Sequence, residues 1–150
     1  MSCPETDSFV RDWNRVHKQT VRVLSAAPDD KLDWRPGEKM FTMRELITHI
    51  PEAEIAIVRS ALAGAMQKVE LDLSGATVAD IVNTFELQHA ELVEEVSKLT
   101  LDQLNEKIQA FGREMRRIVL LRGLIEHEIH HRGQLFTYLR LAGVEPPALY

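Results

Sequence analysis

Apolar residues recur along this chain at steps of three and four, the period of a helix laid against a core, and no stretch signals a strand. The first helical stretch runs from about residue 7 or 8 to residue 26, with Val10, Trp13, Thr20 and Leu24 on one face, and Pro28-Asp29-Asp30 ends it. Residues 28–41 read as a loop, with turn chemistry at Pro36-Gly37. A second helix is expected over residues 43–68: Thr42 is its N-cap, and Glu45 three residues on can close a capping box. Pro51 lacks a backbone donor and crowds the carbonyl of Ile47, so a kink is expected there. Residues 71–76 form a connector. Thr77 caps a third helix that reaches about Leu99, with Val78, Val82, Phe85, Leu92, Val96 and Leu99 as its seam and His89 in the remaining place. Thr100-Leu101-Asp102-Gln103 is a second capping-box pattern that opens a short helix, and residues 108–114, with Phe111-Gly112, break the period. The fourth long helix spans about residues 115–142, with Gly143 as C-cap. There are no internal repeats and no low-complexity segments.

Long helices that each carry an apolar stripe must bury those stripes against one another, so the expected fold is an all-α four-helix bundle. A chain of 150 residues suits a single domain over 1–150. The 28–41 and 100–114 connections are long enough to cross over, so simple up-down order does not follow. The fourth helix carries two stripes. Leu120, Leu124, His127, His131, Gln134 and Tyr138 form one; Ile125, Ile129, Gly133 and Phe136 form another, roughly opposite. The second stripe needs a cover, either the Trp34 loop and the C-terminal segment or a symmetric partner chain, and a homodimer is the favoured expectation, with Gly133 permitting close approach.

Composition narrows the class. Hydrophobic content of 45% with 27% charged residues is ordinary for a globular protein. A net charge of −5 argues against nucleic acid as a partner, because phosphate recognition needs clustered Lys and Arg. The one dense basic group, Arg113, Arg116, Arg117 and Arg122, is interrupted by Glu114 and apolar residues and is placed at the entry to the fourth helix. Cys3 is the only cysteine, so no intrachain disulfide forms, which fits a reducing cytoplasm. No leader pattern and no long apolar run points to secretion or membrane spanning.

The candidate chemistry lies in His127-Glu128-Ile129-His130-His131-Arg132-Gly133-Gln134. On a helix, His127 and His131 are one turn apart and only about 40° apart in azimuth, so both rings can offer a nitrogen to one metal ion. A third ligand has to come from another helix. His49, about two turns into the second helix and beside Pro51, is the best candidate; an ordinary half-buried histidine is the plain alternative. His89 reads as a hydrogen-bonded core histidine and His17 as ambiguous. His130 lies a quarter turn off the ligand face, beside the site or at an interface. Glu126 and Glu128 flank His127 and read as salt-bridging or supporting groups. Glu52, one turn after His49, is the nearest acid and a possible base, with surface solvation as the default. A rival constellation pairs Glu86-Leu87-Gln88-His89 with Glu128-Ile129-His130-His131, two Glu-x-x-His segments of the kind that build di-iron carboxylate sites in ferritin-like bundles.

Across these segments the chain resembles a known family. Leu24 through Trp34-Arg35-Pro36, then Phe41-Thr42 to Leu46-Ile47-Thr48-His49-Ile50, are similar to the first loop and second helix of the DinB-like (YfiT-like) superfamily, whose members are read as metal-dependent enzymes. His127 to Gln134, followed by Leu139-Arg140-Leu141-Ala142-Gly143 and Pro146-Pro147, is similar to its fourth helix and tail. The resemblance covers nearly the whole chain. It implies an up-down-down-up four-helix bundle that holds one divalent metal, zinc or nickel, through His49, His127 and His131. It further implies hydrolase or thiol S-transferase chemistry on a small molecule, with a low-molecular-weight thiol as possible cosubstrate, and dimerisation. A non-enzymatic reading, a metal-stabilised stress-response or interaction module, stands beside it. Neither substrate nor catalytic residue beyond the ligands is indicated.

Overall fold

The computed structural model describes residues 3–150. Its long helices are α1 (Pro4–Leu24), α2 (Met43–Ala63), α3 (Val78–Val96) and, after a short α4 (Leu101–Asn105) and a hairpin of β1 (Lys107–Ala110) and β2 (Arg113–Arg116), α5 (Arg117–Leu141). Local chemistry sets the starts. The Thr42, Thr77 and Thr100 hydroxyls each accept from the amide three residues on, and Glu45, Asp80 and Gln103 return the bond to the cap amide. Each box satisfies two amides that a helix start otherwise leaves bare.

The structure corrects three expectations. α2 stays helical through Pro51 but stops at Ala63, five residues early, because Gly64 takes a left-handed conformation (φ 76°) and closes the helix onto Ser60. α1 starts at Pro4, where a proline needs no amide partner, and so begins earlier than expected. The break at residues 108–114 is a two-stranded antiparallel hairpin with Ala110 opposite Arg113. Phe111 (φ 51°) and Gly112 (φ 73°) form its turn, both left-handed, as a two-residue hairpin demands. Arg113 and Arg116 therefore lie on a strand, and Arg117 opens α5 buried, donating to the carbonyls of Ala61 and Gln103 and to the Glu106 carboxylate.

The directions of the long helices follow from which ends meet. Phe9 and Trp13 of α1 pack with Ile118 to Leu124 of α5, whereas Val23 and Leu24 pack with Leu135 to Leu139, so α1 and α5 are parallel. The start of α2 (Met43 to Ile50) meets the end of α5, and its end (Ile55, Val58, Ala61) meets the start, so α2 is antiparallel to α5. α3 runs with α2, as Glu54–His89 and Arg59–Glu95 contacts show. The order is up-down-down-up, with α1 diagonal to α2.

The core has two apolar halves. On every long helix a polar residue falls between the residues of one half and those of the other: His17 on α1, Glu54 on α2, His89 on α3 and Glu128 on α5, all buried. No described helix is long and apolar enough to cross a membrane.

Candidate metal centre

His49 lies on α2, two turns after the Thr42 cap, and His127 and His131 lie one turn apart on α5, the antiparallel neighbour of α2. The structure brings all three together, each half-buried. Their Nε2 atoms form a near-equilateral triangle: 3.2 Å from His49 to His127, and 3.1 Å for each of the other two separations. The tautomer of His131 is fixed from behind, since its Nδ1–H donates to Gln134 Oε1 at 2.7 Å and leaves Nε2 with a lone pair. Burial and neighbouring rings hold the His49 pKa below the ordinary histidine value and bring that of His127 down to about 4. Both rings are therefore neutral donors at neutral pH. The Phe41 ring lies 5.6 Å from the His49 ring, and the Tyr138 hydroxyl donates to the Phe41 carbonyl, fixing that wall of the site.

Shallow clefts flank the triangle. One of about 440 Å³ is bordered by His127, Phe111, Met115, Arg113, Arg122 and Glu126. Another, about 380 Å³, is bordered by Lys39, Met40, Phe41, Gln134, Thr137 and Tyr138. A broader concavity of about 700 Å³ follows the basic face of α1 (Arg11, Arg15, Lys18, Arg22) and touches none of the three histidines.

The remaining candidates separate. His130 is exposed with its ring 4.9 Å from that of His131, beside the triangle. Glu52 acts on His49 through its charge, and its Oε2 accepts from the Leu71 amide at 2.9 Å, so it anchors the 71–76 connector. The di-iron pairing of the two Glu-x-x-His segments is not built, because Glu86 is exposed and His131 belongs to the triangle. Glu128 is no surface or salt-bridging group; it is 1% exposed and neither carboxylate oxygen has a hydrogen-bond partner. Glu54, unremarked in the sequence, is equally buried. Periodicity could have found both, since Glu54 follows Ile47, Ile50 and Pro51 at helical steps and Glu128 follows Leu121 and Leu124.

Fold and site together define an up-down-down-up four-helix bundle with three imidazoles converging in a groove between two antiparallel helices. The chain belongs to the DinB family, which it matches over residues 1–150. Among curated proteins it is similar to YrdA of Bacillus subtilis (strain 168), 27% identical over 96% of this chain and 87% of the relative. It is also similar to YjoA of the same organism, 28% identical over 93% and 92%. Among solved structures, the DinB-like protein of Bacillus cereus superposes with TM-score 0.83 at 25% identity, over 96% of this chain and 97% of that one. YfiT from B. subtilis, described as a probable metal-dependent hydrolase with an unusual four-helix bundle topology, superposes with TM-score 0.78 at 14% identity, over 97% and 91%, and shares the fold.

Proposed function

We propose that this DinB-family chain holds one divalent metal ion through His49, His127 and His131 and uses it as a hydrolase or thiol S-transferase on a small molecule. The observation that carries the reading is the Nε2 triangle with sides of 3.1–3.2 Å. Nitrogens about 2.1 Å from one ion, at tetrahedral to octahedral angles, are about 3.0–3.4 Å apart, so the side chains fit the group. Zinc and nickel both suit an imidazole set. The ion would supply Lewis acidity, lowering the pKa of a water or a low-molecular-weight thiol. The protein's own part is to hold three rings in one orientation, with Gln134 fixing that of His131, while leaving the solvent side of the triangle to ligand. Phe111 and Met115 offer apolar contact beside His127, and Arg113 and Arg122 offer positive charge. The naming of YfiT as a probable metal-dependent hydrolase supports the reading. The reading includes a cytoplasmic homodimer.

Untagged protein should contain one divalent ion per chain more than the His49→Ala variant, and His127→Ala and His131→Ala should show the same deficit. In the cobalt-substituted protein, a thiol should shift the visible spectrum. Equal metal content in wild type and His49→Ala would sink the site; a closed four-ligand spectrum that no small ligand changes would remove the enzymatic part.

A further inference from the structure

The polar layer between the two apolar halves is a cluster that the three-histidine site does not use. Each long helix supplies a histidine or a glutamate to it, beside the buried Thr20 and Arg132, and His17, Glu54, His89 and Glu128 are 6%, 1%, 5% and 1% exposed. One ligand atom each from His17, Glu54 and His89 lie within 4.8 Å of one another. Glu128 is near enough for its charge to act on His89, as those of Glu54 and Arg132 act on it.

The hydrogen bonding of this layer is incomplete in a particular way. His89 Nε2–H donates to Asn14 Oδ1 at 2.8 Å, which leaves Nδ1 with a lone pair. That lone pair faces Glu54 Oε2 at 3.1 Å. Two acceptors cannot face each other at that distance unless something positive lies between them. Trp13 Nε1–H also donates to Glu54 Oε2, at 3.0 Å, but Oε1 has no partner. His17 Nδ1 and both oxygens of Glu128 are likewise bare. The Thr20 hydroxyl lies close enough to Glu128 to pull its pKa down, but its proton points to the Val16 carbonyl at 3.0 Å. Burying this many polar atoms without partners is costly, and native cores seldom do it. Burial pushes the Glu54 carboxyl up to about 8, so a proton can occupy the Glu54–His89 gap. A proton satisfies only that gap. A metal ion satisfies the facing pair and draws in the bare His17 nitrogen.

We propose that this layer is a second metal site, in which His17, Glu54 and His89 hold one divalent transition-metal ion in the centre of the bundle and Glu128 balances its charge. Two imidazoles and a carboxylate suit zinc, iron(II), manganese or cobalt. Asn14 on His89 and Trp13 on Glu54 are the supporting bonds that ligands of this kind carry behind them. One adjustment is required. The His17 and His89 rings are stacked at 3.6 Å and only 4° from parallel, so their in-plane lone pairs cannot meet at one ion. His89 is held by Asn14 at Nε2, whereas His17 makes no hydrogen bond through Nδ1, so loading tilts His17 and opens the stack.

The test is metal content of the untagged full chain refolded with excess manganese, zinc or cobalt, since a buried site fills most readily as the chain folds. The proposal expects about two ions per chain in wild type, one in the His127→Ala/His131→Ala variant and none when Glu54→Gln is added to it. An empty His127→Ala/His131→Ala protein overturns the proposal, whatever wild type holds, and so does an ion there that survives Glu54→Gln. Failure of the three-histidine reading looks different, because the wild type would then hold one ion that the His127→Ala/His131→Ala changes do not remove. Should Glu54→Gln fail to fold, cobalt in the His127→Ala/His131→Ala protein decides: paramagnetic shifts at the His17 and His89 ring protons support the site, and unshifted rings overturn it.

Discussion

A histidine can give a metal only the nitrogen that its other contacts leave free, so the atoms behind a ligand matter as much as the ligand. His131 meets this through Gln134, while His127 Nδ1 is buried without a partner. Gln134 is exposed, so Gln134→Leu should leave the fold intact yet weaken metal binding about 10–100-fold in chelator competition. Unchanged affinity would mean that packing alone sets the His131 ring. His127 and His131 were legible as a pair because one helical turn fixes their relation. The approach of His49 was not, since no periodicity states which turns of two distant helices meet; its capped helix and Pro51 made it the best candidate, and the family resemblance put it in the ligand set. Glu54 escaped notice, and Glu128 was read as a salt-bridging or supporting group, because charge argues for the surface unless position in a stripe is allowed to outweigh it.

Elements were legible in proportion to their length. The four long helices followed from stripes and capping boxes, and the ends slipped where a single residue, Pro4 at the start of α1 and Gly64 at the end of α2, decided them. The hairpin did not follow, because four-residue strands leave too few alternations to set against a helix period. It borders the cleft beside His127 with Phe111, a non-glycine residue at positive φ and 64% exposed. Asn tolerates that conformation better, so Phe111→Asn should relieve strain of about 0.5–1 kcal/mol and raise the melting temperature by about 2–3 °C. If Phe111 also contacts substrate, the same variant should raise KM with little change in kcat. A lower melting temperature would show that the ring contributes more by packing than its backbone costs.

At the scale of the whole molecule, the second stripe of α5 is only partly covered by the chain itself. Phe136 is half-buried against the half of the core that also takes in Trp34 and Leu149, and Ile125 packs against the other. Ile129 is 42% exposed, and a Cβ added at Gly133 meets nothing within 4 Å. The close approach expected at Gly133 is therefore not made within this chain, and the outer turn around Ile129 and Gly133 is the part left for a partner. In a two-fold dimer packed through this turn, Gly133 would let two α5 helices approach and the Ile129 side chains would cover each other. Sedimentation at micromolar concentration should then give about twice the 17.1 kDa of one chain. Ile129→Glu should return the protein to one chain's mass with its helix content unchanged, because the side chain it replaces is not part of the core. A wild type that stays at one chain's mass on concentrating would rule this dimer out. Ile129→Glu should then change stability by no more than about 0.5 kcal/mol, as surface substitutions do, whereas Phe136→Glu, which sets a charge against the core, should destabilise the monomer by more.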